Sequence, residues 1–259
     1  MQFEKIEGAG NDFIVVESPP LPTNEIVKLC DRRKGIGADG LIFVSASTRA
    51  DYKFSYYNCD GSHADFCGNG LRAVARFIGC NCTIESDCGL HFANISGENI
   101  TVNLPPPKFI KKNFFTIPEG SVHFVHVGVP HAILLVEDFS NFPHLAETLR
   151  HDSRFGADGA NIHFSKKLEN GKIEVRTFER GVEKETFACG SGGAAVFLCA
   201  DRKKATIRFY SHDEVTYFLD EGNLMMQGPA RKIFTGKIYD NRDSERDQSS
   251  RVPCGSHTE

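Results

Sequence analysis

A chain of 259 residues, 40% hydrophobic and 25% charged, can build a proper core, which excludes both a stapled mini-protein and a mainly disordered chain. The 30 lysines and arginines against 34 aspartates and glutamates give a net charge of −4, and the basic clusters at residues 32–34, 166–167 and 202–204 carry no interleaved aromatics, so no nucleic-acid partner is expected. No run approaches the roughly 18 apolar residues of a membrane span. With no signal region at residues 1–7, a cytoplasmic protein whose nine cysteines, an odd number, stay free thiols is expected.

In chain order, strands are predicted at residues 13–16 and 41–44, each after a glycine-rich turn, with a helix at 24–33 between them. Gly35 to Gly40 spells G-x-G-x-x-G, yet it precedes a strand where the dinucleotide fingerprint follows one and opens a helix; no dinucleotide is expected. Strands follow at 53–58, 83–85, 90–95 and 100–104. Between the first two of these, Leu71, Val74, Ala75 and Ile78 line one face of a helix beginning at Gly68. Pro105-Pro106-Pro107 and the polar stretch 108–113 interrupt any sheet and place a domain boundary there, dividing residues 1–112 from 113–231.

The second half repeats the pattern, with strands at 122–127, 132–136, 162–165, 172–178 and 206–210 and a helix at 145–151. A second helix, 192–200, is apolar all round and suited to complete burial. A last strand at 232–239 precedes the polar tail 240–259, expected to be disordered and resembling an expression linker over 249–257.

The halves share punctuation as well as order. Cys67-Gly68-Asn69-Gly70 and Cys189-Gly190-Ser191-Gly192 each place one cysteine before a glycine-rich helix start, which indicates a duplicated domain with a site between the copies. Helix N-termini present unpaired N–H groups and partial positive charge, so two of them facing one cleft would grip a carboxylate. The same field favours thiolate over thiol. A thiolate on one face of a carbon and a thiol on the other are what proton exchange beside a carboxylate needs. Cys80, Cys82, Cys88 and His91, spaced C-x-C-x5-C-x2-H, do not match a zinc knuckle, and no metal is expected.

Residues Tyr57-Asn58-Cys59-Asp60-Gly61-Ser62 through Cys67-Gly68-Asn69-Gly70, and Glu179-Arg180-Gly181 through Ala188-Cys189-Gly190-Ser191-Gly192, resemble the two signatures of diaminopimelate epimerases, and family landmarks extend the resemblance over about residues 1–239. The resemblance implies an α+β fold of two pseudo-symmetric domains, each a curved antiparallel or mixed sheet wrapped around a central helix, with the active site in the cleft between them and the strand 232–239 returning to the first domain. It implies stereoinversion of LL- to meso-2,6-diaminopimelate for lysine and peptidoglycan synthesis, with no cofactor, and a homodimer by analogy. Cys67 and Cys189 would be the catalytic pair, and His131 and Glu179 would tune their thiols. Gly68, Asn69, Gly190 and Ser191 would hold the reacting carboxylate. Asn11, Asn58, Asn161, Arg180 and the Glu179 carbonyl would bind the rest of the substrate.

Two positions depart from the family pattern: Val129, where Asn often precedes Pro-His, and Gly40, sometimes Gln. Both concern substrate contacts, so a broad-specificity racemase acting on glutamate through the same cysteines is an open alternative. A non-enzymatic cysteine-rich metal-binding module is another.

Overall fold

The computed structural model describes residues 1–239; the predicted tail lies outside them. The first half of the chain runs β1 (Gln2–Gly8), β2 (Asn11–Glu17), α1 (Thr23–Cys30), β3 (Gly40–Ser45), β4 (Tyr52–Asn58), β5 (His63–Ala64), α2 (Gly68–Ile78), β6 (Cys82–Ser86), β7 (Gly89–Ser96) and β8 (Asn99–Asn103). After β9 (Phe109–Ile117), the same order returns. It comprises β10 (Gly120–Val127), β11 (Val129–Leu135), α3 (His144–Arg150), β12 (Asn161–Lys167), β13 (Ile173–Glu179), β14 (Lys184–Thr186), α4 (Gly190–Cys199), β15 (Lys204–Arg208), β16 (Glu214–Asp220) and β17 (Asn223–Pro229). β18 (Arg231–Lys237) ends the described chain.

Strand pairing repeats with the element order. β2 runs parallel to β3 and β4 to β6; their counterparts β11 with β12 and β13 with β15 are the matching parallel pairs, and the rest are antiparallel. The halves join where β8 pairs with β17, from Asn103 opposite Met225 to Asn99 opposite Pro229. β9 pairs with β10, and β18 with β1. The result is a sheet-dominated α+β fold.

Among the described residues, the continuous 18-stranded sheet curves around α2 in the first half and α4 in the second, because each helix is apolar where it must be. Leu71, Val74 and Ala75 are fully buried on α2, and burying a side chain such as Leu71 is worth about 2 kcal/mol. The helix opens with the Gly70 N–H donating to Cys67 Sγ at 3.3 Å and stops at Gly79, whose φ of 82° favours glycine. α4 is buried along most of its length, and both helices share one apolar core that crosses between the halves. Outside, α1 covers the other face of β2 and β3 through Ile26, Ile14 and Leu41. Strands covered on both faces read as continuous apolar runs, as 13–16 and 41–44 do. Gly35 and Gly37 belong to the cap of α1, where Ile36 and Gly37 donate backbone hydrogen bonds to the Leu29 carbonyl.

One sequence reading is corrected. The polar stretch after Pro107 does not interrupt the sheet: residues 109–117 form the strand β9. Lys111 and Lys112 hide the strand pattern because β9 is an edge strand exposed from Ile110 through Asn113, while Phe109, Phe114 and Phe115 pack on the second core.

Candidate active site

α2 and α4 meet N-terminus to N-terminus. A Cβ placed on Gly190 would lie 2.8 Å from Asn69 Oδ1 and 3.4 Å from its backbone N, so the first turn of α4 needs glycine there to approach the first turn of α2. A cavity of about 330 Å³ opens at this junction. Its wall includes Asn11, Asn58, Cys67, Gly68 and Asn69 from the first half, and Asn161, Glu179, Arg180, Cys189, Gly190 and Ser191 from the second. Val129 also faces it. His131 does not; it is fully buried behind the wall, with a ring nitrogen within 4.8 Å of Cys189 Sγ.

The thiols are not acidified as the helix-end argument expects. Burial pushes Cys67 up to about 11 despite the Gly70 N–H, and the carboxylate of Glu179 adds to the rise. Burial likewise drives Cys189 far above an ordinary thiol, with Glu179 as the second cause. Desolvation of a thiolate therefore outweighs one capping hydrogen bond and the partial charge of a helix end. Glu179 is itself pushed up to about 7, chiefly by burial, which places its titration in the neutral range.

The amides at the first-half wall form an oriented chain. The guanidinium of Arg72, fully buried, donates to Asn69 Oδ1 at 3.1 Å and, through Nε, to the Pro229 carbonyl at 3.3 Å. With its oxygen so occupied, Asn69 donates through Nδ2 to Asn11 Oδ1 at 2.6 Å, and Asn11 Nδ2 donates to Asp39 at 3.1 Å. Each amide is thereby oriented by its neighbour. In the second half, Asn161 Oδ1 accepts the Arg180 backbone N–H at 2.7 Å. The Arg180 guanidinium has no carboxylate partner among the described residues and stands as a cation at the cavity wall.

The family profile described as Diaminopimelate epimerase matches residues 3–103 and 123–233. The chain is 33% identical over 256 residues to the diaminopimelate epimerase of Chlorobaculum tepidum, covering 90% of this chain and 99% of that protein. It is 34% identical over 268 residues to that of Flavobacterium psychrophilum, covering 92% and 100%. The chain belongs to the diaminopimelate epimerase family. It is therefore an enzyme of the epimerase class.

Solved structures extend the likeness in fold alone. A phenazine biosynthesis protein of the PhzF family from Bacillus anthracis superposes with a TM-score of 0.70 at 16% identity, over 93% of this chain and 99% of that one. A hydroxyproline epimerase from Agrobacterium vitis gives 0.64 at 14% identity, over 92% and 90%.

Three groups around this cavity escape a reading of the sequence. Arg72 looks like one more charge on a helix, and only the packing of α2 against β17 makes it internal. Tyr56 looks like a strand residue; in the fold it is 7% exposed, lines the cavity, and its hydroxyl makes no hydrogen bond among the described residues. A side chain on Gly40 would collide with the Tyr56 ring, so the two positions share one space and the tyrosine fills what the glycine leaves. His163 is the third. Its Nε2 lies 2.9 Å from His131 Nδ1, its Nδ1 lies 3.0 Å from Thr177 Oγ1, and His131 Nε2 lies 3.3 Å from the Val127 carbonyl. No spacing in the chain links residues 131 and 163; the parallel register of β11 and β12 sets His131 opposite Asn161, which brings His163, two residues further along β12, beside it.

Because the Val127 carbonyl only accepts, His131 carries its proton on Nε2, His163 donates to His131 Nδ1, and Thr177 donates to His163 Nδ1. Both rings are neutral: burial lowers His131 to about 3 and His163 well below an ordinary histidine. Since these folded pKa values lie below the unfolded value of about 6.5, the unfolded chain binds more protons in acid, and stability falls as pH drops below about 6.5. Each ring costs up to about 1.4 kcal/mol per pH unit in that window. Thermal melts from pH 7.5 to 5 are expected to show a falling Tm that flattens in His163→Gln; parallel curves for the two proteins would contradict this account.

Proposed function

We propose that this enzyme inverts one α-carbon of diaminopimelate, converting the LL to the meso isomer with two cysteines and no cofactor. The observation that carries the reading is that Cys67 and Cys189, each the cap of its helix, line one cavity where those helices meet. One sulfur, as thiolate, removes the α-proton; the other, as thiol, gives its proton to the opposite face, and the pair ends with roles exchanged. Backbone N–H groups of Gly68, Asn69, Gly190 and Ser191 hold the α-carboxylate and the charge that spreads onto it. Asn11, Asn58, Asn161 and Arg180 hold the distal amino-acid end. Lysine and peptidoglycan synthesis are the setting this reaction serves.

Glu179 supplies the charge balance. Burial keeps both thiols protonated near neutrality, so a base must draw off one proton, and the Glu179 carboxylate beside them is the group with a pKa of about 7. Below that value it is neutral and cannot accept. The expected pH profile of kcat/KM rises through about pH 7, and Glu179→Gln removes that limb while lowering the plateau; an unchanged limb in the variant would assign the ionisation elsewhere.

Tyr56, whose burial keeps its phenol protonated, offers a hydrogen bond to the substrate from the space beside Gly40. Loss of one neutral hydrogen bond is worth about 0.5–1.5 kcal/mol. Tyr56→Phe is expected to lower kcat/KM by about 3–10-fold, mostly through KM, in initial-rate measurements; a change in kcat alone would place the phenol elsewhere in the mechanism.

The test of the whole reading is solvent deuterium exchange at the α-carbon with LL- to meso-diaminopimelate conversion followed in parallel. Neither occurring in reduced enzyme would end it. A broader racemase is the second reading, favoured by Val129, which faces the cavity without a hydrogen-bonding group. Exchange into L-glutamate at a rate comparable to diaminopimelate would select it. A homodimer in the cytoplasm completes the proposal, supported by Ile233 and Phe234, exposed apolar side chains on β18, and by thiols that need a reducing compartment. No helix among the described residues is long and apolar enough to cross a membrane.

A further inference from the structure

Behind the cavity wall, one sulfur and two imidazole nitrogens converge. Ligand atoms of His131, His163 and Cys189 all lie within 4.8 Å of one another, and all three residues are buried. We propose that they form an inhibitory site for a soft divalent cation, of which Zn²⁺ is the type. The inhibition, though not the binding, rests on the reading above, in which Cys189 carries a proton in the reaction.

The donor set is the first argument. Imidazole and thiolate are the ligands zinc prefers, and tetrahedral bonds of 2.0–2.3 Å separate neighbouring ligands by roughly 3.3–3.6 Å. The two imidazole nitrogens stand at 2.9 Å, so widening one hydrogen bond by a few tenths of an ångström and turning the Cys189 side chain toward the rings completes the set.

The second argument is the outer anchoring. Histidine ligands of metals nearly always place the other ring nitrogen on a carbonyl, carboxylate or hydroxyl, which fixes ring and tautomer. His131 Nε2 already donates to the Val127 carbonyl, and Thr177 Oγ1 stands 3.0 Å from His163 Nδ1, placed to accept from it once the ring proton shifts there. Gly192 has no side chain, which lets α4 lie directly on the His163 ring. The protons balance simply. Cys189 releases its proton to solvent, and the His163 proton moves from Nε2 to Nδ1, where it donates to the Thr177 hydroxyl. His131 keeps its proton on Nε2 and offers Nδ1.

Access and consequence follow from position. Cys189 lies on the cavity wall while the rings lie behind it, so an ion enters through the substrate cavity. Its fourth position then faces that cavity, open to water or a carboxylate. A sulfur held by the cation can neither take nor give a proton. The other clusters do not compare: His63, Asp65 and Asp87 are exposed, with the His63 ring already 3.2 Å from Asp87, and His91 is tied to Ser86 and Asn103.

The experiment titrates Co²⁺, then Zn²⁺, into reduced, chelator-stripped protein. The expected result is one equivalent per chain at this site, with a near-ultraviolet thiolate-to-cobalt band and tetrahedral visible bands that Zn²⁺ displaces. Cys189→Ala is expected to lose the near-ultraviolet band; its helix has no side-chain cap bond to lose. His163→Gln, which keeps a donor toward His131 Nδ1, is expected to weaken binding at least 30-fold, and Thr177→Val about 10-fold, the usual scale for an outer anchor. Circular dichroism checks each fold, and Thr177→Val serves if His163→Gln does not fold. Zn²⁺ should abolish LL-to-meso conversion and a chelator restore it. Absence of the sulfur band, or affinity that survives unchanged in both Cys189→Ala and the folded second-ring or anchor variant, overturns the site. Because the cobalt spectrum needs no substrate, an enzyme inactive on diaminopimelate would refute the functional reading and leave this one decided by its own data.

Discussion

Cys67→Ala and Cys189→Ala are each expected to lower LL-to-meso conversion by about 10³-fold or more, the upper part of the range for a positioned proton-transfer group. The two losses should not look alike. An enzyme with one sulfur left can still exchange the α-proton of the isomer whose C–H bond faces it, but has no donor on the opposite face. Slow deuterium incorporation without inversion is therefore expected, into opposite α-configurations for the two variants. Stability should differ as well. Cys67 accepts the Gly70 N–H and its removal costs roughly 1 kcal/mol, whereas Cys189 accepts no cap bond and its removal costs less. Chiral chromatography with mass spectrometry reads inversion and deuterium incorporation, and thermal melts read the stability difference. Inversion at near-parental rate in either variant would remove that sulfur from the mechanism.

Arg180→Ala is expected to reduce kcat/KM for diaminopimelate by about 30- to 5,000-fold, which corresponds to the 2–5 kcal/mol lost when one partner of a buried charged pair is truncated. The guanidinium stands at the cavity wall with no carboxylate partner among the described residues, so a substrate carboxylate is the charge it is free to meet. Arg180→Lys should fall between, because an ammonium keeps the charge and loses the planar fork. The backbone N–H of residue 180 still reaches Asn161 Oδ1 in either variant, so the wall itself is preserved. Steady-state kinetics would decide, and equal values for the alanine and lysine variants would show that charge has no part in recognition.

How much of this was legible in the chain can be judged residue by residue. Residues 68–78 announce α2 through the spacing of Leu71, Val74, Ala75 and Ile78 and through the glycine-rich start at Gly68. Residues 109–117 conceal a strand, because an edge strand exposed over residues 110–113 tolerates lysines that read as a linker. Both helix ends reach one cavity, yet the sulfurs there are not acidified. A helix end contributes a fixed partial charge that a motif displays, but desolvation depends on everything packed around the sulfur, and here desolvation wins.

The repeated cysteine-capped helix starts and most strands of both halves were legible in the sequence, since periodicity and turn chemistry are properties of near neighbours, whereas β1, β5, β9, β14, β16 and β17 were not. Only the tertiary structure decided that Tyr56 occupies the space Gly40 leaves, that Arg72 orients Asn69 and Asn11, and that His163 stands against His131 behind Cys189. Those relations join residues far apart in the chain through strand register and burial, and no local pattern encodes the dielectric or the neighbours that a side chain meets after the sheets close.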